Sequence, residues 1–307
     1  MAAPGAGGGE LQGSLGEPPG DPLRVGRVRF LNTLPLFGPI ELGLAPFSGV
    51  LLNGSPAALA EAILRNEVDV APIPIVTWAR HPERLVPLSG LCIAADGPVR
   101  SVLLFSKGAP HPQAVVRVAV PTDSLTSILL LRLLAPRIWG PGTRVELRPM
   151  EPMLRPMLRE AAAGLLIGDA ALLAAAANPE LHQVDLGALW KEVSGTPMVF
   201  ALMVARAELR DDPRLWQLHA ELKESLRIGL QRLELFAARA SAMDLHLSTA
   251  QALTYFQGLR FALGEREIAG AETFLREVQT LGGLATTTLR PLDGPVSADR
   301  SILTGGA

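Results

Sequence analysis

The chain has 307 residues, with 28 Lys and Arg against 30 Asp and Glu, for a formal net charge of −2. At 48% hydrophobic and 19% charged residues it is a globular sequence, long enough for two domains or one large one without disulfide or metal staples. The balanced charge and the lack of a basic block exclude a nucleic-acid partner and a polybasic membrane anchor, since both need a cationic face.

Residues 1–21 are rich in Gly, Ala and Pro and contain no Lys or Arg. They read as a disordered tail without the basic start and apolar core of a secretory signal, and no 18-residue apolar span follows. The expectation is a cytoplasmic protein with no membrane partner. Cys92 is the single cysteine and lies in the apolar run 88–95, where it reads as a small buried hydrophobe. The five histidines are scattered and match no zinc spacing, so no metal site is expected.

In chain order, residues 25–31 read as a buried strand that runs into Asn32 and Thr33 and a proline-stopped turn. Ser55-Pro56 starts a helix, with serine at the N-cap and proline in the first turn. Residues 67–73 form the next strand, and residues 91–94 and 101–105 read as two strands on either side of Asp96-Gly97-Pro98. After a break at 108–112, residues 115–120 are a clean strand. Polar residues 123–127 then lead into a helical run at 128–134. Residues 164–167 are another buried strand, ending in Gly168-Asp169 before an alanine-rich helix. Residues 197–204 read as a strand returning to the first lobe, followed by helices over 214–239, 248–257 and 266–281.

Short aliphatic runs alternating with helices predict an α/β fold with parallel sheets. The order suggests two lobes: 22–107 with 205–285 as a discontinuous lobe one, 108–204 as an inserted lobe two, and 286–307 as a loose tail. A cleft between such lobes is the default ligand site.

Four polar clusters fall at strand ends, the edge where α/β sheets collect ligands. Asn32 and Thr33 offer an amide and a hydroxyl, or a simple turn. Ser101 closes the cluster 96–101. Thr126 and Ser127 sit at a helix start that suits a carboxylate or phosphate, while Ser124 equally suits plain capping. Gly168-Asp169 offers a base or a helix cap. Neither a Ser/His/Asp order nor a paired-carboxylate motif is present, so the residues alone point to a two-lobed binder of a small anion.

Five segments carry a family resemblance. They are Phe30-Leu31-Asn32-Thr33-Leu34-Pro35, Asp96-Gly97-Pro98-Val99-Arg100-Ser101-Val102 and Leu166-Ile167-Gly168-Asp169-Ala170-Ala171-Leu172. The fourth is Asp185-Leu186-Gly187-Ala188-Leu189-Trp190-Lys191-Glu192, continuing to residues 197–201, and the last is Tyr255-Phe256 with Leu259-Arg260-Phe261. Together and in this order they resemble chorismate dehydratase of the futalosine route to menaquinone.

The resemblance implies a fold like the type II periplasmic binding proteins, with the ligand cleft between the lobes. It implies loss of water from the dicarboxylate chorismate to give 3-[(1-carboxyvinyl)oxy]benzoate, without metal or organic cofactor. It makes Asn32 and Ser101 the catalytic candidates. Thr33, Thr126, Ser127, Gly168 and Asp169 are the substrate-binding ones. The base is then the substrate's own carboxylate, with Asp169 as the protein alternative. Two positions depart from the family pattern: Met198 replaces an aromatic and is expected to fill the same apolar wall, and Thr77 replaces an acid before Trp78. The rivals are 1,4-dihydroxy-6-naphthoate synthase, on a similar fold, and a non-enzymatic small-anion binder.

Overall fold

The computed structural model describes residues 21–122, 124–243, 247–282, 284 and 288–293. Strands β1 (Arg24–Val28), β2 (Val50–Gly54), β3 (Val70–Pro74) and β4 (Leu85–Ala95) alternate with helices α1 (Leu34–Glu41), α2 (Pro56–Leu64) and α3 (Ile75–Arg80). Next come β5 (Val102–Ser106), β6 (Val115–Val120), α4 (Leu125–Trp139), β7 (Arg144–Pro149), α5 (Leu154–Glu160), β8 (Ala163–Ile167), α6 (Gly168–Ala177), β9 (His182–Asp185) and α7 (Leu186–Ser194). The chain returns through β10 (Met198–Arg206) to α8 (Pro213–Gln231), α9 (Leu233–Ser241), α10 (Thr249–Gly258), β11 (Leu259–Arg260) and α11 (Glu265–Thr280).

The strands form two sheets, ordered β11-β4-β10-β3-β1-β2 and β7-β6-β8-β5-β9. Both are mixed rather than parallel as expected: β10 runs antiparallel to β3 and β4, and β5 antiparallel to β8 and β9. Strand β3 joins β1 only at Val25↔Val70. Beyond that pair it has a side without a β1 partner, where the missing N–H groups of Pro72 and Pro74 are tolerated. The lobe-one sheet is tied at its opposite end by Asp69, which is buried and meets Arg24 and Arg206 at 2.9 Å each. Burial opposes the charge on Asp69, but the bonds from Arg24 and the charge of Arg206 outweigh it and hold the carboxyl below its usual range.

Sheet membership moves the expected lobe boundaries. Strand β5 belongs to the second sheet and β10 to the first. The crossings therefore lie at 96–101 and 195–197, not at 107/108 and 204/205. Residues 91–94 and 101–105 have the same apolar pattern, and only pairing separates them into different sheets. The first crossing is fastened to the start of α7 by Asp185, whose carboxylate accepts the N–H groups of Val99 and Arg100 together with those of Gly187 and Ala188 in its own helix.

Other expectations shift locally. The first strand ends at Val28, and Leu31–Thr33 form a single 3-10 turn. The helix expected over 214–239 breaks at Arg232 into α8 and α9. Helix α8 approaches α1 so closely that a Cβ on Gly229 would lie 1.7 Å from the Pro35 carbonyl oxygen. Only glycine fits there. Part of the expected loose C-terminal tail is docked: Leu289 is buried, and Leu292 exchanges backbone bonds with Pro87 and Ser89 on β4. Residues 1–20 and 294–307 lie outside the described residues, and so does Asp123.

Candidate active site

A cleft of about 710 Å³, including the open space at its mouth, separates the two sheets. The lobe-one wall begins at Phe30, whose extended backbone leads into the 3-10 turn. Thr33 holds that turn: its hydroxyl lies 2.7 Å from the Val28 carbonyl oxygen and 2.9 Å from that of Phe30. Its single proton is used inside the turn, so toward the cleft Thr33 can offer only an acceptor. Asn32 is thereby presented to the cleft. Its Oδ1 is buried without a partner.

On the opposite wall, Ser124 stands at the N-cap of α4 without making a capping bond. Ser124 Oγ and Thr126 Oγ1 are also buried and unpartnered. Ser124, Thr126 and Ser127 all line the cleft. Buried polar atoms are normally satisfied. Three orphans on facing walls of one cleft therefore point to a polar ligand that meets them when bound. The helix start adds the positive end of the α4 dipole, which favours a carboxylate there.

Ser101 lies at the crossing between the lobes. Its Oγ accepts from the buried Tyr255 hydroxyl at 3.0 Å and makes a long 3.4 Å contact to the Val99 carbonyl oxygen. With an acceptor lone pair filled by Tyr255 and its own proton given only to the long Val99 contact, Ser101 can turn that proton to a ligand in the cleft. Burial pushes the Tyr255 hydroxyl far above its usual range, so it stays a protonated donor.

Gly168 lines the cleft and donates its N–H to the Ser101 carbonyl oxygen at 2.7 Å. Its φ of +58° is left-handed, and a Cβ there would sit 3.0 Å from the Phe30 ring. Asp169 is not among the lining residues. Its Oδ1 instead accepts the Leu31 N–H at 3.0 Å, across the cleft from its own helix. It does not cap α6, one of the two roles the sequence suggests. Burial raises its carboxyl to about 6 against the lowering effect of the Leu31 bond.

Six of the seven candidate residues thus line one cleft, and the seventh, Asp169, bonds one lobe to the other at Leu31. The apolar walls were not identified from the sequence: Phe30, Pro72, Pro74 and Phe200 line the site. The proline pair at the end of β3 was the available signal. Met198 is fully buried in the core rather than on the wall, and Thr77 also lies off the cleft. Among the described residues no ionisable side chain lines the cleft. Nor does any group of three His, Cys, Asp or Glu fit a metal ion.

Two α/β lobes with a neutral, hydrogen-bonding cleft between them define a protein of the periplasmic-binding-protein fold. Solved structures agree. A protein of Archaeoglobus fulgidus superposes with a TM-score of 0.71 at 18% identity, covering 85% of this chain and 97% of its own. The periplasmic aliphatic sulphonate binding protein of Escherichia coli gives 0.62 at 13% identity, covering 94% and 95%. A profile described as menaquinone biosynthesis matches residues 23–280, and the chain belongs to that family. Chorismate dehydratase of Thermus thermophilus is 34% identical over 270 residues, which is 82% of this chain and 94% of that protein.

Proposed function

We propose that this protein is a chorismate dehydratase, eliminating water from chorismate to give 3-[(1-carboxyvinyl)oxy]benzoate in the futalosine route to menaquinone. One observation carries the reading beyond kinship. The cleft offers neutral donors and acceptors on both walls but no ionisable side chain among the described residues. That suits a reaction in which the substrate supplies both the driving force and the base. One ring C–H bond and the ring C–OH bond break, the proton and hydroxide leave as water, and the ring becomes aromatic.

The protein's part is to bind and orient. Asn32 orients the hydroxyl or enolpyruvyl group, and Ser101, supplied with a donor by Tyr255, directs its proton to a substrate carboxylate. The α4 start with Thr126 and Ser127 receives carboxylate charge. A substrate carboxylate then takes the ring proton, held at the right distance by these contacts. A cytoplasmic place of action belongs to the same reading.

The test is direct. Purified protein incubated with chorismate should release an aromatic enol ether, followed by ultraviolet absorbance and mass spectrometry. Asn32→Ala should lower kcat by at least about 100-fold. Tight chorismate binding without turnover would overturn the assignment in favour of a non-enzymatic anion binder.

A further inference from the structure

The Asp169 carboxylate reaches across the cleft from α6 to a backbone N–H of lobe one, 138 residues away in sequence. Its acceptor role there is specific. Leu31 is the first residue of the 3-10 turn that presents Asn32, and Phe30 at the N-cap provides no side-chain bond. The first N–H groups of a helical turn have no partner within the turn and must be met by a side chain, water or another segment. Here the cap comes from the other lobe. Beside it Gly168 packs so closely against the Phe30 ring that a Cβ would push the ring by a few tenths of an ångström, at a left-handed φ of +58° that already favours glycine. The pair Gly168-Asp169 therefore docks on Phe30-Leu31 as a unit.

We propose that Asp169 is a positioning residue: by capping the Asn32 turn from the opposite lobe, it couples lobe closure to the placement of Asn32. Asp169 touches no substrate in this scheme and acts through Leu31. Its effect on turnover rests on the dehydratase reading, but the bond itself does not. An ionised acceptor makes this bond stronger than a neutral one. Among the described residues only the Leu31 N–H offsets the burial of that charge. Strands β5 and β8 and the 3-10 turn carry no ionisable side chain, nor does the rest of α6. Tyr255 from α10 is the titratable group that senses Asp169, and the carboxylate opposes its ionisation.

Two measurements on the full chain test this. In steady-state kinetics from pH 5 to 8.5, wild-type kcat should fall below about pH 6 to a lower plateau. Asp169→Asn keeps an acceptor but no charge. It should give a flat profile near that plateau, about 3–10-fold below wild type at pH 8. Asp169→Ala should fall further, by about 30–100-fold in kcat with KM changed less than about 3-fold. In an Asn32→Ala background, Asp169→Asn and Asp169→Ala should cost little more, because the group they position is gone. Additive losses, or an Asp169→Asn profile identical to wild type, overturn the proposal.

Amide hydrogen exchange at Leu31 without substrate provides the second readout. Loss of the carboxylate should speed it by about tenfold, and unchanged protection in Asp169→Asn and Asp169→Ala would sink the cap. If chorismate is not turned over but Leu31 loses protection, the dehydratase reading fails while the interlobe cap stands.

Discussion

Two carboxylates stand where the lobes meet, and their surroundings are opposite. Asp96, just past β4, has Lys191 Nζ at 2.6 Å, Arg266 at 2.7 Å and Arg260 at 3.9 Å. The bond from Lys191, helped by the charge of Arg266, holds its carboxyl below the usual range. Asp169, on the cleft side, is raised to about 6 by burial, with one backbone N–H pulling the other way. The crossing at Asp96 is fastened by cations and by the Asp185 cage, and stays charged throughout the neutral range. The brace at Asp169 depends on a charge that burial disfavours. A rigid crossing and a responsive brace are what a two-lobed site needs if it is to close around a ligand in one geometry.

The strongest way to break this contrast is to place one methyl at each end. Gly168→Ala combines a left-handed φ of +58° with a Cβ 3.0 Å from Phe30. Turnover of chorismate should fall by about 100-fold in kcat/KM. Gly97→Ala, beside Asp96, meets open space although its φ is +134°. It should cost about 1 kcal/mol of stability in urea melts and leave activity within about 3-fold. Equal losses in both would erase the distinction.

Next in size is the stability effect at Asp169. Its folded-state pKa, about 6, lies above the ordinary 3.8. The folded chain thus holds the proton more tightly than the unfolded one. This group's stabilising contribution is full below about pH 4 and lost as pH rises through about 6. Asp169→Asn should therefore be more stable than wild type by about 2–3 kcal/mol at pH 8, with the gap closing towards pH 4. Urea melts across that range measure it, and a pH-independent gap would refute the buried charge.

Tyr255→Phe sharpens the other side of the cleft. It removes the donor to Ser101 Oγ and leaves the fully buried ring in place. Turnover of chorismate should drop by about tenfold. Ser101→Ala combined with Tyr255→Phe should cost little more than Ser101→Ala alone. The smallest effect is expected at Asp96. Its pKa is depressed in the fold, so its stabilisation is present above the unfolded pKa and lost as pH falls through the folded one. Because its partners Arg260 and Arg266 are mostly exposed, Asp96→Asn should cost no more than about 1 kcal/mol at pH 7. The loss should fade in acid, opposite in sign to Asp169→Asn.

Much of the fold was legible because its signals are local. Ser55 caps α2 by accepting from Ala58 N–H, and Ser248 with Gln251 forms a capping box on α10. The apolar runs of β6 and β8 matched their strands almost to the residue. Strands β2 and β7 passed unseen, since half-exposed segments such as Val50–Gly54 and Arg144–Pro149 carry little alternation. Of the candidate site, Asn32, Ser101, Thr126, Ser127 and Gly168 could be named because polar residues ending apolar runs mark the ligand edge of an α/β sheet.

What each polar group does with its hydrogen bonds was decided in three dimensions. Thr33 turns its proton inward, Ser124 does not cap its helix, and Asp169 caps a turn 138 residues away. Sheet membership of β5 and β10 likewise depended on which neighbour each strand meets. Periodicity and capping are set by residues a few positions apart, so one chain read in order contains them. Pairing, burial and the shift of a buried carboxylate depend on groups that only folding brings within 3 Å, and these make a run of polar residues into a cleft.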